Sequence, residues 1–434
     1  MRFDGRLELR TLLTDRYGYE VTAASNRARD TYVAGVDLLL AATDGAEQKF
    51  GQAIACDEGF ALAHAGLARA LQVYARMPEA RAAMARALEL SSSLPPRERG
   101  HVAMLSHLVD GNGAAALAAA REHLQTYPRD AMVLSPCTST LGLIGLSGRT
   151  GREADLLALL DGLADAYGDD WWFGGMHAFA KIETGDVASG LAAVERSLAI
   201  NPRNAGGAHV RAHAYSEGGD CGSGLRYLRD WVSTYSVKGP MHCHLSWHVA
   251  LWQLELGQTQ GAWETYRVSL HPGASWGPPL HALADCASFL LRAEMAGEAR
   301  QPELWRDLSA YAAQYFANPG VAFADIHSAL AHALAGNADA LARIIDGARG
   351  PAAEVVAPIA RAFSAISRQA WSEASSKLLP IMDAHEPVGG SRAQRDLIEY
   401  ALVMCLLRSG RPNEAQRAIQ ARRQREGGWP VPKA

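Results

Sequence analysis

The stretch Gly175 to Asn204, GMHAFAKIETGDVASGLAAVERSLAINPRN, decides the fold. Its centre is a turn, Thr184-Gly185-Asp186. Behind the turn, Val187 to Ile200 reads as a helix with small or apolar residues at Gly190, Val194 and Ser197, and it stops at Asn201-Pro202. An earlier stretch repeats the spacing, since Gly111 precedes Pro128 by the interval at which Gly185 precedes Pro202. Small residues at the crossing let the two helices of a pair approach closely. Working outward, the same kind of turn recurs at Asp110-Gly111-Asn112, Ser147-Gly148-Arg149, Gly218-Gly219-Asp220, Leu256-Gly257-Gln258, Ala296-Gly297-Glu298, Ala335-Gly336-Asn337 and Ser409-Gly410-Arg411. Most of these turns lie roughly 34 to 40 residues apart, the period of a helical-repeat array. The expected fold is all-α: antiparallel helix pairs wound into a right-handed superhelix, open or closed into a compact ring-like solenoid.

Composition agrees. The 434 residues are 48% hydrophobic and 20% charged, as in a folded globular chain. Alanine is abundant, β-branched runs are scarce, and no strand-like alternation appears. The net charge is −4 and the only basic run is Arg422-Arg423-Gln424-Arg425, so nucleic acid is not an expected partner. No signal peptide is read at Met1-Arg2-Phe3-Asp4-Gly5-Arg6, and no stretch of about 18 apolar residues is present, which excludes a helical membrane span. The six cysteines lack C-x-x-C spacing and read as reduced thiols, so a cytoplasmic location is expected.

Three segments are expected: an N-terminal helical segment with the first helix pairs over 1–95, the repeat array over 96–426, and a loosely held tail over 427–434. Ser91-Ser92-Ser93-Leu94-Pro95-Pro96 is the clearest breaker. The loop His271-Pro272-Gly273-Ala274-Ser275-Trp276-Gly277-Pro278-Pro279 is too long for a minimal turn and reads either as a linker or as a lid. A second loop, Glu386-Pro387-Val388-Gly389-Gly390-Ser391, precedes the last helix pair.

The turn glycine, the small residue five places on and the terminal Pro resemble the tetratricopeptide repeat. A longer order of residues runs through Asp15-Arg16-Tyr17-Gly18, Tyr32, Phe60-Ala61-Leu62-Ala63-His64, Pro96-Arg97-Glu98-Arg99-Gly100-His101 and Tyr127-Pro128-Arg129-Asp130. It continues through His209, His213, Glu217, Trp247-His248 and Gly389-Gly390-Ser391-Arg392-Ala393-Gln394-Arg395-Asp396. That order is similar to the tetratricopeptide repeat protein 38 family almost end to end. The resemblance implies an all-helical superhelix and no particular reaction.

Eight of the fifteen histidines fall between residues 177 and 281. If the chain follows the tetratricopeptide pattern, His209, His213 and Glu217 share one face of a first helix at i, i+4, i+8, and His244 and His248 share a face one unit later. Both faces should turn to the same inner groove, with helix axes about 8–10 Å apart. Three uses fit such a cluster. His209, His213, His244 and His248 are candidate ligands for one divalent metal ion, with Glu217 as a third ligand or an orienter. His209, His213 and His248 are candidate acid–base groups with Glu217 fixing a tautomer. With Arg211 or Arg292, protonated rings would hold a carboxylate or phosphate. The alternative is that each histidine is a packed or capping residue.

Other candidates are placed around this pocket. His244 and Trp247 would contact substrate; His177 is either a satisfied core residue or the pocket floor; Trp172 would wall it. Asp285 and Arg292 stand on a later first helix, Asp325 and His327 on the next, and His101 is a candidate from across a tight superhelix. No phosphate-binding glycine loop, dinucleotide fingerprint or nucleophile elbow is present.

The expectation is therefore a groove with a His/Glu/Trp pocket for a small polar molecule, performing hydrolase, lyase or isomerase chemistry, with one divalent ion or no cofactor. The other reading is a scaffold binding a peptide or partner helix in the groove. A homodimer through a terminal unit is a further expectation.

Overall fold

The computed structural model describes residues 13–424, with side chains to 421. The basic run and the expected tail after Gly427 lie wholly or mostly outside the described side chains, as does the N-terminal stretch read for targeting.

Among the described residues the chain is α-helical throughout, with one isolated backbone bridge between Thr14 and Glu20. Among the described residues two compact units are present: 13–39 with 45–134, and 40–44 with 135–424. The first holds α1 (Asn26–Leu40), α2 (Ala46–Cys56), α3 (Ala61–Val73), α4 (Met77–Ser91), α5 (Pro96–Val109), α6 (Gly113–Thr126) and the short α7 (Ala131–Leu134). The 91–96 breaker is a turn inside this unit, because α4 packs on α5 across it.

The second unit begins irregularly. Ser147-Gly148-Arg149 was expected to close a helix pair, yet residues 135–151 form a short 3₁₀ segment and turns. Pro136, Gly142 and Gly145 break the helix there. The array then runs α8 (Arg152–Asp161), α9 (Ala164–Tyr167), α10 (Trp171–Glu183), α11 (Val187–Ile200), α12 (Ala205–Glu217), α13 (Cys221–Val232), α14 (His242–Glu255) and α15 (Thr259–Thr265). It continues with α16 (Pro279–Met295), α17 (Pro302–Tyr315), α18 (Ala322–Ala335), α19 (Ala338–Gly347), α20 (Ala353–Ser367), α21 (Trp371–Leu378), α22 (Arg392–Arg408) and α23 (Pro412–Gln424).

The turn chemistry explains the pairing. Gly111, Gly185, Gly219 and Gly336 have φ of 76°, 99°, 70° and 75°, a region in which a side chain is strained. The next residue, Asn112, Asp186, Asp220 or Asn337, then accepts a backbone N–H three residues on and caps the second helix. One short motif thus ends one helix and starts the next.

First helices lie side by side: α10 against α12, α14 against α16, α16 against α18 and α18 against α20, with α22 reaching α16. In α14 every residue from Cys243 to Trp252 is buried, and in α18 every residue from Phe323 to Leu334. A helix buried on all sides has no face left for an open furrow.

The start of this unit also meets its end. Arg152 donates to the Glu386 carbonyl at 2.9 Å and to the Gly390 carbonyl at 2.7 Å. Arg395 donates to the same Gly390 carbonyl at 2.6 Å and to Glu153 at 2.5 Å. The 386–391 loop is thus a clasp. The 271–279 loop rests its Gly277 on Cys243 at the start of α14, while Trp276 is 60% exposed beside Lys238.

Candidate metal centre

His209 and His213 stand one turn apart on α12, and His244 and His248 one turn apart on α14. The second pair follows the first by 35 residues, one repeat, so the same two positions of successive units carry imidazole. The structure brings all four rings together. One nitrogen from each lies within 4.8 Å of the other three. His209 Nε2 is 2.9 Å from His213 Nε2 and 3.0 Å from His244 Nε2. Ring centroids of His248 lie 4.9 Å from His213 and 5.1 Å from His244.

Carboxylates stand behind two of the rings. Both Asp285 oxygens lie 3.0 Å from His244 Nδ1, and Glu183 Oε1 lies 3.2 Å from His213 Nδ1. Glu183 comes from the end of α10, and its other oxygen accepts the Arg392 backbone N–H at 2.8 Å. Glu217 does not take this place. It lies two turns beyond His209, about 12 Å along the axis, and faces Arg392 at 3.7 Å. Glu183, from the neighbouring first helix, is the carboxylate seen at His213 Nδ1.

Burial sets the protonation states. It holds His209 and His248 well below the ordinary imidazole range and pushes His244 down to about 3. Neighbouring imidazoles add to the effect for all three, and the Arg292 guanidinium adds to it for His248. Asp285 is pushed up to about 8 by burial. Glu183 would also rise on burial, but the His213 ring and Arg395 hold it low. His209, His244 and His248 are thus neutral near pH 7, the form that ligates metal.

The four nitrogens could hold a shared cation. An imidazole Nε2 has one in-plane site, holding a proton or a lone pair, so His209 Nε2 cannot form two full hydrogen bonds. It nevertheless faces two Nε2 atoms at hydrogen-bond distance. A tetrahedral ion with metal–nitrogen bonds of 2.0–2.1 Å spaces its ligands about 3.3 Å apart. The two closest contacts, 2.9 and 3.0 Å, approach that spacing.

Trp247 is fully buried, stacks on His244 at 5.2 Å and meets His248 edge-on at 4.7 Å. Its indole N–H has no acceptor among the described residues. His281 stacks on His244 from the other side at 4.9 Å. Arg292 donates to Ser288 and to the Ala393 carbonyl and lies over Tyr400.

The remaining candidates lie outside the four-ring group. His177 pairs with half-exposed Asp161 at 2.7 Å. Trp172 is buried against Tyr167. His327 meets the Phe323 carbonyl at 2.7 Å, while Asp325 accepts the Gly320 N–H and lines a surface cavity of about 380 Å³ with Tyr315, Phe316 and Val321. Residues two apart on a helix point about 200° from each other, so Asp325 does not face the His327 ring. His101 belongs to the first unit, where Asp130 lies 3.0 Å from its Nδ1 and also takes Arg97 and His123.

Sequence reasoning missed Glu183 and His281. A signal for Glu183 exists: Glu183, Glu217 and Glu255 each stand two residues before a turn glycine. His281 carries no such mark.

No protein-family profile matches the chain. Among solved structures it is similar to a human IFIT1 dimer with PPP-AAAA, at 12% identity and a TM-score of 0.44, over 95% of this chain and 98% of that one. It is also similar to the TPR domain of P58(IPK), at 13% identity and a TM-score of 0.21, over 92% of this chain and 99% of that one. A third is Naa15/Naa10 bound to HypK-THB, at 13% identity and a TM-score of 0.21, over 91% of this chain and 68% of that chain. No helix among the described residues is long and apolar enough to cross a membrane.

Proposed function

We propose that the protein is a helical-repeat metalloprotein, related to the tetratricopeptide repeat protein 38 family, whose four-histidine centre takes one divalent transition ion. The observation that carries this is the double Nε2 contact at His209, with carboxylates behind both of the rings it faces. Four imidazole nitrogen donors favour zinc or a neighbouring borderline ion over magnesium or calcium, which seek oxygen. Glu183, and Asp285 once ionised beside the bound ion, would supply the outer carboxylates that fix imidazole tautomers in such centres and offset the ion's charge.

The ion would act on a small polar molecule, by metal-assisted hydrolase, lyase or isomerase chemistry. Enclosed inner helices and the clasp between the two ends of the array favour a small ligand over an extended peptide. A net charge of −4 disfavours nucleic acid.

The test is metal analysis of protein purified without chelators and of protein reconstituted with Zn(II). About one ion per chain is expected in the wild type, with loss in His213→Ala. A wild type that stays well below one equivalent after reconstitution sinks the reading. Thermal-shift screening of metabolites against the wild type and His213→Ala then tests the small-ligand part, since the two should respond differently to a true ligand.

A further inference from the structure

We propose that His209 is the replaceable ligand of this centre, and that its place on the ion is where water or a small anionic donor binds. The inference rests on the metal reading above and adds which corner of the site opens.

The four rings are not equivalent. His213 and His244 are each backed at Nδ1 by a buried carboxylate, Glu183 at 3.2 Å and Asp285 at 3.0 Å. Such a bond fixes ring orientation and raises ligand basicity, so these two hold an ion firmly. His248 is fully buried, with Trp247 at 4.7 Å, Trp252 at 5.9 Å and His213 at 4.9 Å around it. A ring walled in this way has no room to swing off the ion.

His209 is also surrounded by rings, at 4.5–5.3 Å, but differs in its anchoring and exposure. Among the described residues its contacts are the other three imidazoles and the edge of Phe179 at 5.3 Å. No carboxylate among the described residues pairs with it. It is also the most exposed of the four, at 9%, against 0%, 3% and 0% for His213, His244 and His248. The least anchored ligand is therefore also the most exposed of the four residues. Three imidazoles with a fourth, exchangeable position is the arrangement that distinguishes a reactive zinc centre from a structural one. An incoming oxygen or nitrogen donor would bind where His209 Nε2 now lies, between His213 and His244, and an anion is favoured by the ion's charge.

Cobalt(II) reports this directly, because its visible absorption changes with coordination number and ligand set. The full chain would be loaded with Co(II) and titrated with azide. The wild-type spectrum is expected to change and saturate as azide displaces His209. His209→Ala and His209→Gln are expected to retain about one Co(II) with less than a tenfold loss of affinity, and to respond to lower azide. His213→Ala is expected to lose Co(II) by far more than tenfold. A wild-type spectrum unmoved by azide overturns the proposal and leaves a closed four-histidine site. So does a His209→Ala protein that is folded by circular dichroism yet loses Co(II) as fully as His213→Ala. Failure of the wild type to take up Co(II) at all sinks the metal reading itself, and the proposal with it.

Discussion

Glu183 connects two jobs. One oxygen faces His213 and the other holds the first backbone N–H of α22. Glu183→Gln keeps the shape and removes the charge. Metal affinity is expected to fall 10- to 100-fold, as for other outer-shell partners of metal-bound histidine, measured by competition with a chromogenic chelator. The inner rings were legible because i, i+4 pairs recur one unit apart. Glu183 was not, because its relation to His213 runs between helices. Glu217, one turn past His213, pairs with Arg392 at 3.7 Å.

A second expectation at this scale concerns acid. Burial pushes His327 down to about 4, from an ordinary value of 6.5. The unfolded chain therefore takes up a proton between those values that the folded chain refuses. Stability from this ring is complete above pH 6.5 and is lost as pH falls toward 4, by roughly 3 kcal/mol at most. Urea melts of the wild type and His327→Asn at pH 7 and pH 4.5 check it: any stability lead of the wild type should shrink in acid. A lead that grows would contradict the sign.

Helices and their turns are the level at which the sequence was most readable. Gly followed by Asn or Asp marks both a left-handed stop and a cap, and four such turns fall as expected. The exception is 135–151, where the repeat period continues but the helix pair does not form. Its glycines and Pro136 outweigh the period. Inside helices, glycine marks close crossings. A Cβ on Gly224 would lie 2.7 Å from the Trp252 ring, which is itself fully buried. Gly224→Ala is expected to destabilise by about 1–3 kcal/mol through overpacking, read as a lower urea midpoint with little change in slope. At the clasp, Gly390 has φ 75° and faces the Phe323 ring, so Gly390→Ala should loosen the segment that Arg152 and Arg395 hold.

For the molecule as a whole, composition and period pointed to an all-helical array, and two compact units of that kind are present. The expected division near residue 95 and the observed one after Leu134 differ because packing, not local breakers, defines a unit. What no single segment reveals is that residues 140–153 would meet residues 386–395. That contact spans more than two hundred positions and arises only once every intervening pair has added its turn. Arg152→Ala removes one donor to the Glu386 carbonyl and one of two donors to Gly390. Each carbonyl keeps another donor, the Gly389 N–H and Arg395, so the expected loss is that of the charge-assisted hydrogen bonds themselves, about 1.5–3 kcal/mol, seen as a lower melting temperature.

An ordinary stack of hairpins is a ladder with two outermost rungs, and each rung, holding one neighbour instead of two, frays before the middle does. In the second unit the clasp gives the first rung a companion. Its opening should then resemble breaking a hoop: nothing peels, and the first rupture costs two interfaces at once. Amide exchange along α8 to α22 should accordingly show a plateau of protection, where a graded decline toward either end would mean that the hoop is already cut in solution.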